Sequence, residues 1–112
     1  MDCLFCKIIA GEIPSTKIYE DEDVYAFADI TPQAPVHALF VPKRHIASLA
    51  EASADDAALL GKLLLAAAKV ARDKGLGDGY RTVFNTGARA GQTVFHVHLH
   101  LLGGRDMTWP PG

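Results

Sequence analysis

The segment His96-Val97-His98-Leu99-His100-Leu101-Leu102 constrains this chain more than any other. Histidine alternates three times with an aliphatic residue. A period of two is the pattern of a strand, whose successive side chains point to opposite faces. The three imidazoles then share one face, and Val97, Leu99 and Leu101 share the other. A sheet core needs the aliphatic face and has no use for the imidazole one. Three of the chain's five histidines fall within these five positions. Imidazole is the side chain best suited to proton transfer, nucleophilic attack and metal ligation near neutral pH. One lone histidine on such a strand reads as a solvated surface residue. Three in strict alternation, beside a glycine-bearing turn, read as chemistry. A single ion cannot collect all three. At about 3.3 Å per residue the Cα atoms of His96 and His100 lie about 13 Å apart, whereas metal–nitrogen bonds are about 2 Å. The outer histidines therefore have different tasks.

The rest of the chain supplies a frame for that strand. Residues 4–10 (LFCKIIA) read as a short helix, started by Asp2 or Cys3 and stopped by Gly11. Residues 17–20 and 24–29 read as two strands of a hairpin, turned at Glu20-Asp21-Glu22-Asp23. A connector with two prolines leads to a third strand over 36–41 (VHALFV), ended by Pro42. Ser53-Ala54-Asp55-Asp56 opens the one long helix as a loose capping box, with acidic residues where the helix dipole favours them. Its apolar stripe is Leu59, Leu60, Leu63, Leu64, Ala67, Val70 and Ala71, and Gly75 and Gly77 end it. Residues 81–86 form a fourth strand and 94–102 a fifth. Five strands, mostly joined as hairpins, and one long helix predict an α+β domain. Its helices lie on one face of a mostly antiparallel sheet.

A chain of 112 residues fits one domain spanning residues 1–112. A net charge of −2 and the absence of a basic stripe argue against nucleic-acid binding. No apolar run approaches the length of about 20 residues that a membrane span needs. The first six residues lack the pattern of a signal peptide. A cytoplasmic location is the resulting expectation, with both cysteines reduced unless they hold metal or do redox work.

The alternating histidines resemble the signature of the histidine triad (HIT) family of nucleotide hydrolases and transferases. The likeness extends over nearly the whole chain: FCKIIAGEIP (5–14), FADITPQAP (27–35), VPKRHI (41–46), Gly79-Tyr80-Arg81, Asn85, Gly91-Gln92-Thr93 and the tail LGGRDMTWPPG (102–112). The tail is similar to that of the Hint branch. The resemblance implies a homodimer whose two five-stranded sheets join into one of ten strands. Residues 103–112 would reach toward the partner. It also implies hydrolysis of purine nucleoside phosphoramidates, AMP–amine conjugates among them. No cofactor would be needed for the chemistry.

Residue by residue, His98 matches the family nucleophile, on which a nucleotidyl–histidine intermediate forms. His100 resembles the phosphate-contacting histidine, and His37 a histidine close to the triad. Thr93 stands where the Hint branch commonly carries serine; its hydroxyl can still donate, while its methyl crowds a bulky leaving group. Asn85, Gly91 and Gln92 fall in the phosphate-side loop, where glycine lets backbone N–H groups approach. Asp29 matches the ribose-binding acid, though it also suits a turn before Thr31-Pro32. Phe5, Ile8, Phe27 and Ile30 match a pocket for the base, and are equally plain core residues. Trp109 resembles the residue that reaches the partner subunit's site.

Cys3-Leu4-Phe5-Cys6 places two thiols on one side of a helix start. Structural zinc favours four Cys and His ligands, and His45 and His96 match the zinc positions of bacterial family members with this motif. A site of Cys3, Cys6, His45 and His96 would pin the N-terminal helix to the sheet. The alternatives are a redox pair, for which the βαβ context is missing, and two spectator thiols. At the level of function the alternatives are a dinucleoside polyphosphate hydrolase or nucleotide phosphorylase, and a zinc-stabilised nucleotide-binding or interaction protein.

Overall fold

The computed structural model describes residues 3–112; the helix start proposed at Asp2 lies outside them. Cys3 caps the first helix instead. Its backbone is extended and its Sγ accepts the Cys6 N–H at 3.4 Å. The helix α1 (Leu4–Ile9) stops before Gly11, which takes φ +80°. Strands β1 (Lys17–Glu20), β2 (Val24–Ala28) and β3 (Val36–Pro42) follow. A 3-10 turn, Ala54–Asp56, leads into α2 (Ala57–Asp73), with the expected capping box between Ser53 and Asp56. Strands β4 (Tyr80–Phe84) and β5 (Leu99–Gly103) complete the sheet. Its order is β1-β2-β3-β5-β4 and every pairing is antiparallel. No helix among the described residues is long and apolar enough to cross a membrane.

Two expectations need correction. The helices do not share one face. On one side α2 packs Leu63, Ala67, Val70 and Ala71 against Val24, Ala26, Ala38, Phe40, Leu99 and Leu101. On the other, α1 packs Phe5 and Ile8 against Tyr25, Phe27, Leu39 and Val41. The cause is written in β2 and β3, whose residues are apolar on both faces, as a two-sided burial demands. The flanks of the α2 stripe are looser, and Leu64 is left exposed.

The fifth strand is also shorter than its alternation suggests. Only residues 99–103 join the ladder, pairing with β3 and β4. Residues 94–98 run beside the sheet without strand pairing. The Val97 N–H instead donates to Ile46 O at 2.6 Å. His96 and His98 thus sit on irregular backbone, and only His100 sits in the sheet.

Candidate active site and metal centre

His96 and His98 point their rings to different ends. Each has one ring nitrogen bound to a main-chain carbonyl, and the choice of nitrogen differs. His96, fully buried, donates from Nε2 to Pro42 O at 2.8 Å. His98 donates from Nδ1 to the carbonyl of His96 at 2.8 Å. In the neutral ring, the proton committed to one nitrogen leaves a lone pair on the other. His96 therefore presents Nδ1, and His98 presents Nε2. Burial pushes the proton affinity of both rings down, so both lone pairs are available at neutral pH.

The Nδ1 of His96 faces a closed set of donors. Cys3 Sγ lies at 3.4 Å, Cys6 Sγ at 3.5 Å and His45 Nδ1 at 3.1 Å, and the Cys6 Sγ–His45 Nδ1 distance is 3.6 Å. All four ligand atoms lie within 4.8 Å of one another. A tetrahedral zinc site has edges of about 3.3 Å between nitrogens and about 3.6 Å between sulfur and nitrogen. The donor set and its spacing fit that ion. Pro42 O is the outer partner that orients a ligating histidine. The strand-to-loop segment bearing His45 is also anchored, because Arg44 pairs with Asp56 at the start of α2.

The second set is polar and largely buried, with His37 and His98 each 8 % exposed and His100 half-buried. The Gln33 N–H donates to His37 Nδ1 at 3.0 Å. The His37 proton therefore sits on Nε2, which lies 2.9 Å from His100 Nδ1 and 3.4 Å from Asp29 Oδ2. His100 accepts at Nδ1 and carries its own proton on Nε2. Burial, then the neighbouring His98 and His37, push its pKa down to about 4. Burial lowers His37 as well, against the pull of Asp29. The His98 and His100 ring centroids are 5.0 Å apart. The site thus offers a lone pair at His98 beside a neutral N–H donor at His100.

Asp29 forms the turn that its sequence context suggests. One oxygen accepts from Thr31 N–H and hydroxyl at 2.9 and 3.2 Å, and the other faces His37. It also lines a hollow of about 370 Å³ with Ile8, Thr16, Phe27, Ala28 and Ile30. Phe5 is buried just behind, edge-on to Phe27 at 5.4 Å and to His98 at 5.0 Å. Ile30 stands 95 % exposed, free to meet a ligand but packed on nothing. No histidine lines this hollow or a larger one of about 490 Å³ near Tyr80, Arg81 and Arg105; Asp29 is the link between the smaller one and the histidines.

In the loop before the histidines, Gly91 takes φ +96° and lies against the Asn85 amide. Thr93 is exposed. Gln92 is nearly fully buried, and its amide is used internally. It accepts from Gly87 N–H and donates to Ala47 O and Val94 O. Its side chain braces the loop. Trp109 is 84 % exposed. Sequence reasoning missed Gln33 and Pro42, which act through main-chain atoms and so leave no residue signature. It also missed the Arg44–Asp56 anchor.

The HIT domain profile matches residues 10–107. The chain is similar to a HIT-like protein of Synechococcus elongatus, with 57 % identity over 111 residues, 99 % of this chain and 97 % of that one. It is 50 % identical to a 14 kDa zinc-binding protein of Brassica juncea over 99 % of this chain and 100 % of the other. In structure it is similar to a HIT family hydrolase from Legionella pneumophila, with a TM-score of 0.97 and 55 % identity, covering 99 % of this chain and 100 % of that one.

Proposed function

The chain belongs to the HIT domain family, and from that premise we propose that it hydrolyses purine nucleoside phosphoramidates by nucleotidyl transfer through His98. The observation that carries the reading is the His98 Nδ1–H bond to His96 O, which frees Nε2 as a nucleophile of fixed tautomer. The Legionella relative, a hydrolase by name, supports the reaction type.

In the first step His98 Nε2 attacks the α-phosphorus, a P–N bond forms to the ring and the P–N bond to the amine breaks. The departing amine takes a proton from solvent, while the His100 Nε2–H and the Thr93 hydroxyl donate hydrogen bonds to the phosphate and the leaving group. In the second step water attacks phosphorus, its proton returns to solvent, the bond to His98 breaks with the electron pair restored to Nε2, and AMP leaves. Catalysis of this kind is mostly positioning and charge stabilisation. His37 and the Gln33 N–H hold His100 in its donor tautomer. Asn85 and Gly91 face the phosphate, Asp29 takes the ribose hydroxyls, and Phe5, Ile8, Phe27 and Ile30 hold the base.

Zinc held by Cys3, Cys6, His45 and His96 would tie α1 to the sheet; the zinc-binding Brassica relative favours that ion. The whole chain acts as one HIT domain and pairs as a homodimer. Edge β4 is the better joining edge, because β1 is short, begins and ends on the charged Lys17 and Glu20, and is broken by a register shift. Trp109 then reaches toward the partner's site. The deciding experiment is turnover of a fluorogenic adenosine phosphoramidate by wild type and His98→Gly. Turnover by wild type alone supports the reading. AMP binding without turnover by wild type replaces it with a zinc-stabilised nucleotide-binding protein.

A further inference from the structure

The nucleophile stands where the sheet cannot hold it. The ladder begins at Leu99, so the backbone of residues 96–98 takes its conformation from other contacts. Besides the His96 bond to Pro42 and the His98–His100 ring contact, three of these lead back to the cysteine–histidine cluster. The His98 Nδ1–H bond ends on the carbonyl of His96, itself a member of the cluster. The Val97 N–H bond ends on Ile46, next to His45. The Phe5 ring, between Cys3 and Cys6 in the chain, stands edge-on to His98 at 5.0 Å and to His96 at 6.1 Å.

We propose that the metal centre positions the nucleophile, with the His96 carbonyl and the Phe5 ring as the positioning groups. Metal occupancy then sets turnover as well as stability. This inference rests on His98 being the nucleophile. A bound ion fixes the His96 ring, and through it the carbonyl that selects the His98 tautomer. It also fixes both ends of the turn that carries Phe5 against His98. Without the ion, the His96 ring keeps only its Pro42 bond, and the peptide that carries its carbonyl is held only by the Val97 N–H bond to Ile46, beside an unligated His45. His98 then loses both its tautomer lock and its lateral wall. Phe27 and Asp29 are also held by the β2–β3 pairing and by the Thr31 turn, so the ribose side of the site stays in place while Phe5 and Ile8 on α1 loosen with the cluster. A cluster that only staples the fold would lower the melting temperature and leave kcat of the folded protein unchanged.

The test uses the full chain labelled with ring-¹⁵N histidine, loaded with zinc and then stripped by a chelator below its melting temperature. The zinc-loaded protein is expected to show a slowly exchanging His98 Nδ1–H resonance. Stripping should abolish it and lower kcat about ten-fold, with KM changed less than about two-fold, the scale of losing an outer-shell partner. A folded, stripped protein that keeps the resonance and its kcat overturns the proposal. Should the stripped chain unfold, cadmium in place of zinc decides by the same resonance, because the larger ion moves the His96 ring while the fold stays closed. A shifted or faster-exchanging resonance with lowered kcat supports the coupling, and an unchanged resonance and kcat overturn it. The resonance is read without substrate, so absence of phosphoramidate turnover would sink the catalytic reading while leaving this test intact.

Discussion

His96 and His98 are separated by one residue, and the contrast between their surroundings explains most of this molecule. His96 is wholly buried, with two thiols and a second imidazole at its Nδ1. His98, also buried, has an aromatic edge and another imidazole beside it and no thiol. Both rings are locked by a main-chain carbonyl, but through opposite nitrogens. On the proposed reading, that one difference makes one side chain a metal ligand and the other a nucleophile. The backbone, not the residue type, assigns the work.

The sharpest way to break the comparison is to exchange the losses. His98→Gly should lower kcat by about 10⁴-fold or more, the scale of removing a covalent nucleophile. AMP affinity, metal content and melting temperature should change little. His96→Ala should do the reverse first: metal content falls to zero and the fold loosens. Calorimetry and metal analysis on both variants check this. A His96→Ala protein that keeps its metal and its melting temperature breaks the distinction between the two rings.

Removing the ion probes the closed side alone. Chelation of the zinc-loaded protein should cost about 3 kcal/mol, or about 10 °C in Tm for a chain of this size. Cys3→Ser should reproduce the effect without chelator. Unchanged thermal stability in both experiments would reduce the cysteines to spectators. On the His98 side, His37→Asn should lower kcat about ten-fold to a hundred-fold with Tm nearly unaffected. It removes the proton that holds His100 Nδ1 as an acceptor. Steady-state kinetics would show the loss in kcat rather than in KM, and an equal loss in both would remove the tautomer argument.

The two regions were not equally legible in the sequence. Spacing alone argued that the outer histidines have separate tasks, and the CxxC pair marked half of the cluster. The capping box at Ser53 and Asp56 was readable because its chemistry is local. The fifth strand was overextended because alternation records which way side chains point, not whether a neighbour strand is present. Residues 94–98 keep the alternation while their backbone bonds to the segment near Ile46. Gln92 was grouped with the phosphate loop by position, yet its amide braces that loop internally. Pro42 O and Gln33 N–H lock the two decisive tautomers, and no sequence pattern records where a main-chain atom will lie.

The smallest expected effect isolates the His98 side by its titration. His100 is held near pKa 4 in the fold, mainly by burial and then by His98 and His37, against about 6.5 in an unfolded chain. Between those values the unfolded chain binds a proton at this position that the folded one does not. Its stabilising share is therefore complete above pH about 6.5 and is lost progressively as pH falls toward 4. Metal release in acid lowers stability as well, but it acts on wild type and His100→Asn alike. The difference between their Tm–pH curves isolates His100. The variant should lose fewer degrees across this window, by a few degrees, and the curves should run parallel above it. Curves that stay parallel throughout would mean that His100 titrates in the fold as it does in the unfolded chain, and burial would then not be what keeps it a neutral N–H donor.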